Sequence, residues 1–189
     1  MCQNAPVPTP ADEVEIRRMS DQEYPQMRAL AVAAFAEPLI GTLLDTLRES
    51  WCWRPELSLV AVRADEIVGQ VLYTSAFLDA PRELVDVLLL SPVGIRPDLQ
   101  RRGIGSALIS RSLQVLQERP EPLVFLEGSP AYYPRFGFRP GGDLGFLKPS
   151  ERIPDAAFMA LPLPAYAKWM TGRLVYPDAF WRTDTVGLR

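Results

Sequence analysis

Residues 84–95 read LVDVLLLSPVGI, residues 96–106 read RPDLQRRGIGS, and residues 107–116 read ALISRSLQVL. The first block is a long apolar run of the buried-strand type, broken at Ser91-Pro92. The last block puts Ile104, Leu108, Ile109, Leu113 and Leu116 on one helical face, and the helix must end before Pro120. A basic turn with two glycines joins them. Gly103 and Gly105 let a ligand approach the backbone closely, because no Cβ stands in the way. The helix start presents unpaired N–H groups and the positive end of the helix dipole, which suits a diphosphate. Arg101 and Arg102, with Arg96 nearby, add donors that match phosphate oxygens.

Working outward from this unit, the upstream half supplies strands and helices. Val14 to Arg18 is a short strand. Ser20-Asp21-Gln22-Glu23 is a capping box opening a helix with Met27, Leu30, Ala31, Ala34 and Phe35 on one face. Pro38 suits the first turn of a second helix carrying Leu39, Leu43, Leu44 and Leu47. Leu57 to Val62 and Ile67 to Ser75 are strands joined by a tight turn at Arg63 to Glu66. Downstream, Leu123 to Leu126 is a buried-type strand and Ser129-Pro130 starts a short helix ending near Gly137. Ala157 to Leu163 is a further strand, and Pro164 to Arg189 is aromatic without clear periodicity. The order describes an α/β domain around a mixed sheet. It predicts a flexible lead over 1–12, a domain over 13–163, and an extension over 164–189 packed on it.

Composition narrows the chemistry. The chain of 189 residues has no histidine, which removes Ser-His-Asp and Cys-His catalysis, histidine metal sites and a histidine general base. Its only cysteines are Cys2 and Cys52, which do not make a disulfide scaffold or a zinc site, so no metal is expected. A net charge of −3 carries no nucleic-acid footprint. No window approaches the ~20 apolar residues of a membrane span, so a cytoplasmic protein is expected, with no nucleic-acid or membrane partner. Lys148 and Lys168 are the only lysines among many arginines, a pattern of GC-rich coding that hints at a bacterium.

Spacing also sorts the phosphate ligands. The dinucleotide fingerprint wants a third glycine where Leu108 stands, although Glu127 falls near a ribose-binding position. A P-loop motif is absent. Gln100-Arg101-Arg102-Gly103-Ile104-Gly105 resembles the Q/R-x-x-G-x-G/A signature of the GNAT superfamily of N-acetyltransferases. Gly128 to Arg139, with Pro130-Ala131-Tyr132-Tyr133-Pro134-Arg135-Phe136-Gly137-Phe138, is similar to the block that follows it in YhbS-like acetyltransferases. The resemblance covers about Leu84 to Pro140, with Val14 to Ser75 agreeing in element order.

That resemblance implies a central mixed sheet whose fourth and fifth strands splay apart, with helices on both faces. It implies acetyl-CoA as co-substrate, the pyrophosphate on the backbone of residues 101–106 and the pantetheine in the splay. The binding set is then Val93, Gly94, Ile95, Gln100, Arg101, Arg102, Gly103, Ile104, Gly105 and Ser106. Pro92 supports the splay independently, because it cannot donate to a ladder. Pantetheine amides would pair with the backbone near Val93 and Ile95.

The chemistry sets its own demands. An alkyl ammonium of pKa ~10.4 must lose a proton before it attacks a thioester. Backbone N–H groups at Val93 to Ile95 are candidates for oxyanion stabilisation. Tyr133 stands four residues before Gly137, where the family carries its tyrosine general acid, while Tyr132 is expected to point elsewhere. Glu127, Asp86 or ordered water are the candidate bases, with Glu127 preferred. Ser129 occupies a position where relatives often have an acid or amide, so a base cannot be carried over there. The acceptor, a small-molecule or peptide amine, is expected near Phe35 to Gly41, with Trp51 and Trp53 assigned to packing. A monomer or homodimer fits. The alternatives are a non-catalytic acyl-CoA-binding sensor or assembly module, and a dinucleotide-binding protein.

Overall fold

The computed structural model describes residues 14–187. The lead expected over 1–12, with Cys2, lies outside the described residues. The first strand, β1 (Glu15–Arg18), is followed by a 3-10 turn, Asp21–Glu23, and α1 (Tyr24–Phe35). The capping box forms, but it opens the 3-10 turn and not α1 directly. The Ser20 N–H and hydroxyl both donate to Glu23 Oε2, at 2.8 and 2.9 Å. Arg17 donates to the same carboxylate through both terminal nitrogens, at 2.9 and 2.6 Å. That fork draws the Glu23 carboxyl down to about 2.

Next come α2 (Leu39–Arg48), β2 (Leu59–Arg63), β3 (Glu66–Asp79) and β4 (Leu84–Ile95). The hairpin between β2 and β3 turns on Ala64 and Asp65, both with positive φ (48° and 63°). Then follow α3 (Ile104–Leu116), β5 (Leu123–Glu127), the 3-10 turn Tyr133–Phe136, β6 (Arg139–Pro140), β7 (Phe146–Leu147) and β8 (Phe158–Pro162). The described chain closes with β9 (Gly172–Val175) and α4 (Asp178–Arg182).

The sheet runs β1-β2-β3-β4-β5-β8-β6, and β9 bridges β3 and β7. Its pairs are antiparallel except β4 with β5 and β7 with β9. The alternation of the central strands decides which helix covers which face. Tyr73, Leu88, Leu90, Val124 and Leu126 meet Ile104, Leu108 and Leu116 of α3. Leu72, one residue out of phase, packs with Met27, Leu30 and Ala31 of α1 and with Leu44 of α2. Leu89 and Phe125 join Leu43 and Leu47 of α2 and the aromatic C-terminal segment, through Tyr176 and Phe180. The result is an open mixed sheet with helices on both faces.

Two details position the site. First, β4 does not break at Ser91-Pro92. Ser91 and Pro92 bulge opposite Leu72, and pairing with β3 resumes at Val93. Second, β4 pairs with β5 only at Leu88 and Leu89. Beyond Leu89 the two strands separate, leaving a wedge between them.

Candidate active site

Two cavities meet in that wedge. The first, about 640 Å³, is lined by Ala34, Val93, Ile95, Gln100, Arg101, Gly103, Gly105 and Ser106. The second, about 450 Å³, lies deeper between Leu89–Val93 of β4 and Leu126–Ser129, where β5 ends. Phe35, Val93, Tyr132 and Tyr133 line both, so they form the junction.

The first cavity is built around the start of α3. Gly103 caps that helix with φ of 87°, a conformation that favours glycine, and no side chain caps the exposed N–H groups. Gly105 packs closely on its neighbours. A Cβ there would sit 3.2 Å from the Tyr132 hydroxyl and 3.5 Å from Ile95 Cγ1. Arg101 holds a positive φ of 59° and reaches the cavity wall. Arg102 is exposed and lines neither cavity. Ile104 points into the core at 1% exposure, so only its backbone faces outward. Gln100 ties the cavity edge together by donating to Ile95 O at 3.2 Å. Gly94 is packed, since a Cβ there would lie 3.1 Å from Gln70 Nε2 and 3.4 Å from Ala34 Cβ.

Arg96 corrects the expectation made for it. Its guanidinium is held by Asp98 at 2.8 and 3.2 Å and by Glu66 at 2.8 Å and lines neither cavity, so its donors are committed away from the site. An unpartnered helix N-terminus, a close-approach glycine and Arg101 do fit a diphosphate at this end.

The deeper cavity contains the chemistry-bearing side chains. Tyr133 packs edge-on against Tyr132 and Phe138, with ring centroids 5.2 and 5.8 Å away. Burial pushes its phenol up to about 12. Glu127 ends β5, where its carboxylate lines the cavity and accepts two hydrogen bonds. The Tyr176 hydroxyl donates to Oε1 at 2.8 Å, and the Gly187 N–H to Oε2 at 3.0 Å. Burial raises the Glu127 pKa above the usual carboxylate value, partly opposed by these two donors. Each oxygen keeps a lone pair beyond the one engaged.

Three expectations need correction. Asp86 is exposed and lines neither cavity, which removes it as a base. Tyr132 does not point away from the site. It lines both cavities, its hydroxyl lies 3.3 Å from Ser106 Oγ, and Arg135 covers its ring at 4.7 Å. Phe35 leaves the buried helical face read for it: it is 44% exposed and forms the junction wall, at the start of the segment, Phe35 to Gly41, expected to shape the acceptor pocket. Trp51 and Trp53 line neither cavity, and Trp51 stacks on Phe77 at 4.9 Å. The sequence reading missed Tyr176, Phe180 and Gly187. The one signal for them was Tyr176-Pro177-Asp178, a helix start with an aromatic just before it. Among the described residues, no group of acidic or cysteine side chains is placed to hold a metal ion.

A basic strand-loop-helix thus faces a wedge between two parallel strands. The acetyltransferase (GNAT) domain family model matches residues 15–141, and the chain belongs to that family of enzymes. An uncharacterized N-acetyltransferase, YjhQ of Escherichia coli K12, is 32% identical over 156 residues, covering 80% of this chain and 86% of the relative. A GNAT acetyltransferase from Brucella melitensis, solved with acetyl-CoA, is 26% identical with TM-score 0.69, covering 88% of this chain and 97% of that one. The Escherichia coli YhbS structure, solved with CoA, shares the fold at TM-score 0.81 and 23% identity, covering 96% and 97%. No helix among the described residues is long and apolar enough to cross a membrane.

Proposed function

We propose that this acetyltransferase moves the acetyl group of acetyl-CoA onto a primary amine of a small molecule or peptide. The observation that carries the reading is the junction at Tyr132 and Tyr133, which joins a diphosphate-compatible cavity to a separate cavity holding Glu127. The Brucella relative solved with acetyl-CoA supports the same co-substrate here.

Acetyl-CoA, when bound, supplies an acetyl group activated as a thioester. The backbone N–H groups at Ile104, Gly105 and Ser106 and the Arg101 guanidinium hold the phosphates. The edge of β4 over Val93, Gly94 and Ile95, which has no strand partner on the β5 side, takes the pantetheine arm. The same backbone receives the oxygen on which negative charge develops. Glu127 removes the proton from the acceptor ammonium, and its raised pKa makes it a stronger proton acceptor than an exposed carboxylate. Tyr133 holds its proton across the physiological range and delivers it to the departing sulfur.

The test is calorimetry with acetyl-CoA, CoA and NAD on the full chain, followed by thiol release from acetyl-CoA across an amine library. The reading expects CoA compounds to bind, NAD not to, and thiol release to depend on amine. NAD binding, or CoA binding without amine-dependent release, overturns it.

A further inference from the structure

The lining of the deeper cavity speaks to the acceptor itself. Two carboxylates line it, Glu127 from the end of β5 and Glu37 from the link between α1 and α2. Among the described residues, that lining contains no lysine or arginine. Neither carboxylate has an ion-pair partner there. Glu127 is held by neutral donors only, and Glu37 Oε1 accepts from the Leu39 N–H at 3.1 Å. The charged group that acts on Glu127 is Arg152, whose guanidinium is paired with Asp184 and does not line the cavity. Negative charge in a half-enclosed space without a counter-charge favours a cation and disfavours an anion.

Shape narrows the class further. Apart from the carboxylates the walls are largely apolar or aromatic, with Ile40 and Leu43 of α2 on one side and Tyr176 and Phe180 of the C-terminal segment on another. That segment is anchored by β9 pairing with Phe77–Asp79 of β3, so it forms a fixed wall of the cavity. A volume of about 450 Å³ lies within the range of small-molecule sites.

From this lining we infer that the acceptor is a small primary amine with an apolar body and no anionic group, and that Glu37 is a specificity-determining residue for it. The inference rests on the acetyl-transfer reading and names its substrate class. Amines with aryl or alkyl bodies fit. Amino acids of the same body do not, because their carboxylate would enter beside Glu37 and Glu127 without a cation to meet it.

The test compares matched acceptors on the full chain with saturating acetyl-CoA: 2-phenylethylamine against phenylalanine, pentylamine against norleucine, and phenylalanine amide as the neutralised control. The decarboxylated amines are expected to exceed their amino acids by roughly 100-fold in kcat/KM, since like charge placed in a low-dielectric pocket is strongly penalised. Phenylalanine amide should recover most of that difference. Glu37→Gln, which keeps the shape and the acceptor oxygen, should narrow the ratio about tenfold through the amino acid's gain and the amine's loss. Equal or better use of the amino acids, or a ratio unchanged in Glu37→Gln, overturns the inference. Calorimetry of the same acceptors with CoA-loaded protein separates the two layers. Selective amine binding without turnover keeps the substrate class and overturns the transfer reading. Turnover confined to anionic acceptors does the reverse, and neither binding nor turnover overturns both.

Discussion

Gly128→Ala probes the reacting centre without touching the residue that does the chemistry. A Cβ at Gly128 would stand 2.3 Å from Tyr133 Cε2, 2.7 Å from Cδ2 and 3.0 Å from Leu126 Cδ1. Carbons in ordinary contact are ~3.5–4.0 Å apart, so the Tyr133 ring must retreat by roughly 1.2–1.7 Å. It has little room, because Tyr132 and Phe138 box its other sides. A displacement of about 1 Å at a catalytic group costs on the order of 10²-fold in rate, and the overpacking itself costs about 1–3 kcal/mol of stability. The phosphate-binding end is built by other residues, Arg101, Gly103, Gly105 and Ser106, so CoA affinity should change far less than kcat. The assay is thiol release at saturating amine, with CoA calorimetry and thermal unfolding alongside. Gly142→Ala is the control, since a Cβ there meets nothing within 4 Å. A folded Gly128→Ala protein with wild-type kcat would refute the placement of Tyr133 at the reacting sulfur.

Tyr133→Phe should keep CoA binding and lose about 10²–10⁴-fold in kcat. With its phenol at about 12, the wild type should show no alkaline fall from phenol ionisation between pH 8 and 10, and such a fall, absent from Tyr133→Phe, would contradict the burial argument. Arg101→Ala should weaken CoA binding by about 1–3 kcal/mol, while Arg102→Ala should leave the calorimetric affinity unchanged; equal losses would contradict the difference in where the two face. Glu23 has its folded pKa lowered to about 2 by Arg17, so its contribution is present above pH 4.5 and fades as pH falls towards 2. Urea titrations of wild type and Glu23→Gln should therefore differ above pH 4.5, by about 1 kcal/mol or less after solvent screening, and converge towards pH 2; a constant gap would rule the pair out.

The fold was legible where periodicity and punctuation agree. Leu84 to Leu116 carries a strand run, a glycine turn and a helical stripe in sequence, and each became the expected element. Pro92 marked an irregularity in β4, but that irregularity lies opposite β3, while pairing with β5 already ends at Leu89. Sequence marks where a ladder bond is lost but not whether a strand ends or bulges, and here it bulges past Leu72. The C-terminal segment was illegible for a different reason. β9 has four residues and β7 two, held by partners far away in the chain, so no local pattern announces them. For the same reason the Tyr176 and Gly187 bonds to Glu127 could not be foreseen, since they span 49 and 60 residues. Arg96 shows the opposite limit. Its charge was visible, but its capture by Glu66, 30 residues earlier, was not. Adjacent Tyr132 and Tyr133 were both visible, but a 3-10 turn holds both at the junction where one was expected to turn away.

The proposed junction joins CoA binding to acyl transfer onto an amine. Single-turnover mass spectrometry with acetyl-CoA in limiting amount and 2-phenylethylamine in excess tests it most directly. The account predicts N-acetylated amine and free CoA appearing together in a one-to-one ratio, with both slowed in Tyr133→Phe. Free CoA without acetylated amine, or no consumption of bound acetyl-CoA in the presence of any amine, would contradict it.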